Sequence, residues 1–467
     1  MKTDRTKLKR NLTCFIIFLT MLILPGIKVS AANSADPLLY AKQLIQTYYI
    51  GDVTESQLNA ATDVDSLVKS LNDPYSAYFT EQEYTEFINS INNSFSGIGV
   101  QIDKSTDGIK VITVFDGTPA KAAGLAAGDI ILTADGHELS QLSVEESVKY
   151  IKGLSGTRVN LQVKRNDDIL TFNVERTDIV LPTVENEMID NHIGYIKITS
   201  FGEKTGSEFQ TALTKLKAYT PDCYIIDLRN NGGGYMSTAF DIAGYFIGDN
   251  TVLKTQAKSG QASSYNATKQ DILIDKPTIF LINGYSASAS EILAAAVKDN
   301  KKALFIGEKT YGKGVAQNIF MLPDSSYMKL TTLKFVSPLG NEINKVGITP
   351  DIIVKDDLDN GISSLNAARI LLSSINRNGD GSFTAAGNTY NVNLTTAKSQ
   401  NNLNTFLYLK ANYKYVQSQV SSTENNTGDS MDTAALPNTG SALDFQNLSL
   451  TGIILMLSGA FVLKRLQ

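Results

Sequence analysis

Short apolar runs alternate with helical patterns in the middle of the chain, from about residue 179 to residue 355. The apolar runs have the length of buried strands, and the segments between them repeat apolar positions at helical spacing. The expected strands are 192–200, 224–228, 278–282 and 303–306, with further strands after residue 327, and the expected helices are 204–218, 235–247 and 289–298. This alternation is typical of an α/β sheet.

The flanking segments carry weaker patterns. Residues 33–94 show the apolar spacing of helices, and residues 143–154 have the pattern of one amphipathic helix. A further helix is expected over 358–374. Residues 384–415 have no clear periodicity, and we interpret them as an accessory segment of unknown role.

Composition narrows the class of protein. The chain has 467 residues, of which 42% are hydrophobic and 19% charged, so it can form several domains with real cores. Its net charge of -5 gives no general attraction for nucleic acid. Cys14 lies in an apolar leader, and Cys223 opens an apolar strand, where a small core residue is expected. There is neither a disulfide framework nor a Cys/His metal spacing.

The first 32 residues have the composition of a secretion signal. A basic stretch that ends at Arg10 precedes an apolar run, Leu12 to Leu24, and small residues follow for cleavage after Ala31 or Ala32. The alternative is a retained membrane anchor. The small-residue site favours cleavage and hence export.

The C-terminal end carries a second targeting pattern. Residues 421–435 are polar and lack periodicity, as expected of a flexible spacer. Leu436 to Gly440 reads LPNTG and is followed by an apolar stretch and by a basic end. This arrangement resembles the LPXTG sorting signal of Gram-positive surface proteins. The resemblance implies that sortase cleaves between Thr439 and Gly440 and attaches Thr439 to peptidoglycan, whereas the alternative is a plain membrane anchor.

A serine-bearing turn lies between the third expected strand and its helix. Residues 283–288, NGYSAS, would expose a hydroxyl where free N–H groups of a helix can hold a developing negative charge. Lys313, between two glycines, is a candidate base, because burial lowers a lysine pKa and leaves a neutral amine. The two histidines, His137 and His192, lie far away in sequence, but folding could bring either one close.

The segments NGYSASASEILAAAVKDN and GEKTYGKGVAQ together resemble the active-site block of the carboxyl-terminal processing proteases, the S41 serine peptidases. The resemblance implies that Ser288 is the nucleophile, Lys313 the general base and Gln317 the residue that orients the lysine. It also associates Asp299 with the active residues. The DLRNNGGG block would complete the oxyanion hole, with donor N–H groups from Gly234 and Ala289.

Residues 95–178 resemble a PDZ domain through FSGIGVQI and GTPAKAAGLAAGDIILTADGHEL. A Gly-Ile-Gly turn can point successive N–H groups at one anion, and the adjoining strand edge can pair with an extended peptide. The expected binding segment for a substrate C-terminus is Gly97, Ile98, Gly99 and Val100. In the same family the preceding helices often pair two subunits, so a homodimer and packing on the same chain are both open.

These observations predict an α/β peptidase core preceded by a PDZ domain and a helical N-terminal segment. The expected function is a secreted, wall-anchored serine endopeptidase that needs no metal or cofactor. The alternatives are a non-catalytic, wall-anchored PDZ peptide-binding module and a crotonase-like acyl-transfer hydrolase. The expected boundaries are a signal peptide (1–32), the helical segment (33–94), the PDZ domain (95–178), the core (179–355), a C-terminal helix with an accessory segment (356–420), a spacer (421–435) and a sorting signal (436–467).

Overall fold

A computed structural model describes residues 36–418. The predicted signal peptide, the whole spacer (421–435), and the sorting residues Thr439 and Gly440 lie outside this range. Among residues 36–418, no helix is both long enough and apolar enough to span a membrane. The same part of the chain contains no cluster of three acidic, histidine or cysteine side chains that could hold a metal ion.

The N-terminal segment consists of four helices and one short strand. Its elements are α1 (Pro37–Tyr48), α2 (Glu55–Ala60), α3 (Val64–Ser70), β1 (Ala77–Phe79) and α4 (Glu81–Ile91). Thr54, Asp63 and Thr80 cap the helices that follow them, each in a reciprocal capping box. The apolar faces of α1 and α3 pack on core residues such as Met328 and Leu330, so they are buried against their own chain.

The PDZ region is a sheet of antiparallel strands with two helices. Its elements are β2 (Ser94–Gly97), β3 (Val100–Lys104), β4 (Ile109–Val114), α5 (Pro119–Ala123), β5 (Ile130–Ala134), β6 (His137–Glu138), α6 (Val144–Ile151), β7 (Arg158–Arg165), β8 (Asp168–Glu175) and β9 (Thr177–Val180). The main strand order is β3-β4-β5-β7-β8, so β3 is an edge strand. β2 and β9 pair with each other and form the ribbon through which the chain enters and leaves the domain.

The core contains two sheets and three helices. Its elements are β10 (Val184–Ile189), β11 (Ile193–Ile198), α7 (Thr205–Lys217), β12 (Cys223–Asp227), α8 (Met236–Ile247), β13 (Thr251–Ala257), β14 (Ala262–Asn266), β15 (Thr278–Ile282), α9 (Ala289–Asp299), β16 (Leu304–Gly307), β17 (Val315–Met321), β18 (Tyr327–Val336) and β19 (Ile352–Ile353). The α/β alternation predicted from the apolar runs is therefore confirmed.

The first core sheet has the order β10-β11-β12-β15-β16-β19, with β10 antiparallel and the other strands parallel. One face packs on α7, α8 and α9 through residues such as Phe209, Phe246 and Phe280. Because the strands are covered on both faces, they are continuous apolar runs rather than alternating ones. Cys223 is buried among them, as predicted.

The second core sheet is centred on β18, the longest of its strands. β17 pairs along one side of β18, while β1 and β13 pair along the other side at opposite ends, and β14 extends the sheet beyond β13. Ala77 of β1 lies opposite Lys329 of β18. The N-terminal segment therefore contributes a strand to the core, although its sequence pattern predicted helices alone.

The C-terminal segment covers the other face of the parallel sheet. Its elements are α10 (Ser364–Leu372), β20 (Gly381–Ala385), β21 (Asn388–Val392), α11 (Leu394–Ala397), α12 (Leu403–Asn412) and β22 (Lys414–Gln417). Phe383 and Phe406 belong to one buried cluster with Ile225 and Ile279 of the sheet. Helix α10 begins six residues later than predicted, because Asp357 and Asn360 form a hydrogen-bonded turn before the cap Ser363.

Candidate active site

Ser288 lies in a strained turn between β15 and α9. Its backbone angles are φ 57° and ψ -112°, a conformation that costs free energy in a residue with a Cβ. The turn is fixed from the neighbouring strand, because Ser286 Oγ donates to the Leu228 carbonyl over 2.8 Å. The Ala287 N–H also donates to the Asn231 carbonyl over 3.0 Å. A strained strand-to-helix turn of this kind presents a nucleophile at the end of a sheet.

The glycine run after β12 packs directly against this turn. The buried Asn231 accepts the Gly233 N–H on Oδ1 and donates from Nδ2 to the Ile198 carbonyl. Gly233 has φ 103°, and a Cβ there would lie 2.8 Å from Ser288 Cβ and 3.0 Å from the Ala289 nitrogen. Only glycine therefore allows this loop to approach Ser288 so closely.

The two predicted oxyanion donors have free N–H groups. Within residues 36–418, neither the Gly234 N–H nor the Ala289 N–H donates a hydrogen bond. Gly234 follows the glycine that contacts Ser288, and Ala289 opens α9, where the first N–H groups of a helix have no partner inside the helix. Both groups are free to bind an oxygen atom beside Ser288.

A buried carboxylate, Glu291, joins the turn that ends at Ser288 (the nucleophile turn, 283–288) to the turn that contains Lys313 (the lysine turn, 310–314). Its Oε2 accepts the backbone N–H groups of Ser288 over 2.9 Å and Lys313 over 2.8 Å. Its Oε1 accepts the Thr310 hydroxyl over 2.6 Å and the Gly312 N–H over 2.7 Å. One oxygen atom binds both backbone nitrogens. The nitrogens of Ser288 and Lys313 are therefore no farther apart than the sum of these two hydrogen-bond lengths.

The sequence analysis did not include Glu291, although a signal was available. Ser288 and Glu291 have the spacing of a capping box, in which the third helical residue reaches back to the N–H of the cap. This pattern predicts only that a helix begins. The two further bonds to the lysine turn depend on a loop about twenty residues downstream and could not be foreseen.

Lys313 lies half-buried against an aromatic ring. Its Nζ is 5.0 Å from the centre of the Tyr75 ring, which comes from the N-terminal segment. Burial of the amine is the main cause that lowers its pKa to about 8, and the positive charge of Lys329 lowers it further. The nearby carboxylates of Asp73 and Glu291 act in the opposite direction. A substantial fraction of this amine is therefore neutral near pH 7.5.

The backbone nitrogens of Ser288 and Lys313 share one acceptor oxygen, but within residues 36–418 the side chains of the predicted triad are not hydrogen-bonded to one another. Among the described residues, no hydrogen bond joins Ser288 Oγ to Lys313 Nζ, and Gln317 Nε2 donates to Thr331 Oγ1 over 3.4 Å instead. Catalytic hydrogen bonds are often long before substrate binds. Gln317 lies on β17 next to the lysine turn, whose position is fixed through Glu291.

Asp299 lies apart from these residues. It ends α9, whereas Ser288 precedes the same helix, so the two are separated by about 16 Å along the helix axis. Its Oδ2 accepts the Ser337 hydroxyl and the Leu339 N–H, the latter over 2.9 Å. These bonds fix the turn after β18 to the end of the helix, which is a structural role.

Within residues 36–418, neither histidine is hydrogen-bonded to the Ser288 turn. His137 is exposed in the PDZ region, with its ring 4.4 Å from that of Tyr150. His192 is buried at the N-terminal end of β11, and its ring lies against the carbonyls of Asp190 and Leu372. Ser288 follows the C-terminal end of a parallel strand, so His192 is at the opposite edge of the sheet. Of the candidate bases, only Lys313 adjoins the nucleophile turn.

The turn before β3 has the geometry of an anion site. Ile98 and Gly99 use their carbonyl groups inside the domain, where the Ala120 and Phe115 N–H groups bind them. In the described part of the chain, the Ile98 and Gly99 N–H groups donate no hydrogen bond. Gly99 has φ 89°, and a Cβ there would lie 2.3 Å from Thr118 Cβ.

The other two residues of the predicted binding segment flank this turn. Gly97 pairs with Thr177 in the β2–β9 ribbon, and Val100 opens the edge strand β3. Helix α6 contacts β3 and forms a wall beside it. An edge strand that is walled by a helix and begins at free N–H groups suits an extended peptide with a carboxylate end.

Comparison with known proteins defines the class. Residues 192–354 match Peptidase family S41, and residues 96–175 match the PDZ domain. The chain is 35% identical over 321 residues to a carboxyl-terminal-processing protease of Picosynechococcus, covering 67% of this chain and 77% of the relative. It is 35% identical over 314 residues to the carboxy-terminal processing protease CtpA of Bacillus subtilis, covering 67% of this chain and 66% of the relative.

Among solved structures, the chain is similar to the photosystem II D1 C-terminal processing protease. The likeness has a TM-score of 0.45 at 24% identity and covers 74% of this chain and 99% of that chain. From the family matches and the sequence relatives, the chain belongs to the carboxyl-terminal processing proteases, serine peptidases of family S41 with a PDZ domain.

Proposed function

We propose that this protein is a secreted, wall-anchored endopeptidase that captures substrate C-termini and cleaves with Ser288 as nucleophile and Lys313 as general base. The observation that carries the proposal is the shared carboxylate of Glu291, which binds the backbone of both residues. A scaffold that only holds peptides has no need to lock a strained serine turn to a half-buried lysine. The lowered pKa of Lys313 suits a base that works near neutral pH.

In the proposed reaction, neutral Lys313 takes the proton of Ser288 Oγ as the oxygen attacks the peptide carbonyl carbon. The resulting oxyanion is held by the N–H groups of Gly234 and Ala289, each worth about 3 kcal/mol in such a role. The lysine ammonium then gives its proton to the leaving amine. Water, deprotonated by Lys313, hydrolyses the acyl-enzyme and restores the hydroxyl. Gln317 orients the amine, whereas Asp299 takes no part.

We assign capture of the substrate to the PDZ domain. A peptide would add to the edge strand β3, and its terminal carboxylate would accept the free N–H groups of Ile98 and Gly99. Because the chain has no segment that resembles an unfoldase, its substrates are proteins with loose or already cleaved ends. We also propose that two copies of the protein pair through their N-terminal helices. Sedimentation of the mature protein tests this homodimer.

The decisive experiment compares cleavage of an unfolded protein with an apolar C-terminal tail by residues 33–435 and by the variants Ser288→Ala and Lys313→Ala. We expect both variants to bind the tail and neither to cleave it. Cleavage by either variant at the normal rate would exclude the Ser-Lys mechanism. Tail binding without cleavage by all three proteins would support the non-catalytic PDZ binding module instead.

Wall anchoring rests on the N-terminal and C-terminal sequence patterns. We expect a muralytic enzyme to release the protein from the wall fraction with Thr439 at its C-terminus, and Thr439→Ala to leave it in the membrane fraction. Full extraction of the unchanged protein by detergent alone would exclude attachment to peptidoglycan. This test is independent of the catalytic one.

A further inference from the structure

A second lysine, Lys329, lies on the same face of the second core sheet as Gln317. It occupies β18 between Ala77 of β1 and Ile319 of β17. Two residues along the strand, Thr331 lies opposite Gln317 and contacts its side chain. Since alternate residues of a strand share one face, Lys329 and Thr331 point to the same side as Gln317.

Lys329 is held by aromatic rings and not by an acid. Its Nζ lies 4.7 Å from the centre of the Phe87 ring and 5.4 Å from that of Phe79. The two rings stack with their centres 5.2 Å apart. Within residues 36–418, Lys329 forms no salt bridge. The ring faces favour a cation without neutralising it. Burial lowers the pKa of the Lys329 amine, and the negative charge of Asp73 opposes this effect.

The residues just before β1, together with β1, link the two lysines. Tyr75 lies in a turn in which Ser76 Oγ donates to Asp73 and accepts the Thr331 N–H over 3.1 Å, so the turn is attached to β18 two residues from Lys329. The Tyr75 ring contacts Lys313 Nζ, and the Phe79 ring contacts Lys329 Nζ. The two amines therefore lie beside one stretch of the N-terminal segment.

The groups that face Lys313 and its ring partner come from several elements. They are Asp73 and Tyr75 from the segment before β1, Glu291 from α9, Tyr311 from the turn before β17, and Lys329 from β18. Both carboxylates are already hydrogen-bonded, Asp73 to the Tyr75 N–H and the Ser76 hydroxyl, and Glu291 to its four donors. Lys329 is the one cation of this set besides Lys313 itself.

We propose that Lys329 is a positioning residue for the base, a positive charge held by Phe79 and Phe87 that disfavours the protonated form of Lys313 and so keeps it able to accept the serine proton. This inference rests on the proposed Ser-Lys mechanism. A second cation near an active lysine is a known way to activate an amine. The N-terminal segment supplies the rings that hold the Lys329 amine. In this proposal the segment therefore contributes to catalysis as well as to packing.

The test is the pH dependence of Ser288 labelling by a fluorophosphonate in the mature protein, from pH 6 to pH 10. In this reaction the serine oxygen displaces fluoride from phosphorus, and Lys313 takes the proton. For Lys329→Met we expect the acidic limb to move up by about one pH unit, with labelling about tenfold slower at pH 7 and recovered at high pH. Lys329→Arg, which keeps the charge, should leave the limb in place.

Three further variants, measured in the same labelling assay, distinguish the possible explanations. Lys334→Met, at an exposed position on the same strand, is the matched control and should not shift the limb. Lys329→Gln repeats the test if the methionine variant folds poorly. A limb that stays in place in both neutral variants, or labelling that falls equally at every pH, overturns the proposal and leaves Lys329 as a packing residue. Unchanged labelling in Lys313→Ala would instead overturn the Ser-Lys mechanism.

Discussion

At the scale of single residues, the site depends on where a few buried polar groups are placed. Glu291 fixes the distance between the turns of Ser288 and Lys313 through hydrogen bonds to the backbone of both. The rings around the lysines remove water from them without supplying a counter-charge. Hydrogen bonds therefore fix the positions of the two turns, and burial is the main cause of the lowered pKa of Lys313.

The pH dependence of cleavage follows from the lowered pKa of Lys313. A base must be neutral, so activity is lost as the pH falls through the pKa of about 8. We expect kcat/KM to fall about tenfold per pH unit below pH 7 and to level off above pH 9. Initial rates on an unfolded substrate at constant ionic strength measure this, and a flat profile down to pH 6 would contradict a lysine base.

The substitution Glu291→Gln tests the shared carboxylate. An amide retains one acceptor oxygen but turns an NH2 group toward backbone N–H donors, leaving two of them without a partner. We expect a loss of about 2 to 4 kcal/mol in stability and at least about 100-fold in kcat/KM. The matched control is Glu203→Gln, at an exposed site whose carboxylate makes no hydrogen bond within the described residues. Equal activity of the two variants would contradict a role for Glu291.

At the scale of elements, the sequence predicted the helices and strands whose own residues carry a clear pattern. The run from Thr278 to Ile282 and the helix from Ala289 were predicted with nearly their observed bounds, because burial on all sides and helical spacing leave clear patterns. Strand β1 was not predicted, since three residues carry little periodicity and its pairing partner is β18, far along the chain. For the same reason, the surroundings of Lys313 could not be foreseen beyond the motif itself.

The turn of the PDZ domain offers a test at this scale. Gly99 and Gly128 have similar φ values, 89° and 95°, but a Cβ would meet Thr118 at the first and nothing within 4 Å at the second. Alanine therefore adds the same backbone strain, about 1 to 2 kcal/mol, at both sites and a clash at Gly99 alone. We expect Gly99→Ala to weaken binding of a tail peptide at least about tenfold.

Fluorescence anisotropy with a labelled tail peptide measures this difference, and Gly128→Ala supplies the control. The two variants should also differ in cleavage of tailed substrates while they cut an untailed unfolded protein alike. If both bound the peptide as the parent protein does, the turn before β3 would have no part in capture.

At the scale of the whole molecule, the C-terminal segment is part of the core and not an appendage. Phe383 is 1% exposed and packs on Phe406 and Tyr415, in the cluster that also contains the outer face of the parallel sheet. The sequence analysis could assign no role to this segment, because its short elements have weak patterns of their own. Its role is evident only when the sheet face that it covers is known.

The substitution Phe383→Ala tests this integration. Truncating a buried phenylalanine costs about 3 to 5 kcal/mol, and because the cavity adjoins the sheet, protease activity should be lost at the same lowered temperature as the helical signal. Parallel circular dichroism melts and residual activity measure this. Leu407→Ala, at a site that is 51% exposed on α12, is the control and should melt within a few degrees of the parent protein. If activity persisted at temperatures at which the C-terminal segment had unfolded, the segment and the core would be shown to fold separately.

The pairing of β1 with β18 joins the N-terminal segment to the last strand of the second core sheet. Ala77 and Lys329 are neighbours in the sheet but lie far apart in the sequence. The ribosome therefore adds Lys329 long after Ala77. A contact of such long sequence separation closes a large loop and forms late in folding. A nascent chain that already contains Ser288 and Glu291 still lacks the turn of Lys313 and the strand that brings Tyr75 to it. If Ser288 and Lys313 act as proposed, we expect the chain to gain activity only after β1 has paired with β18.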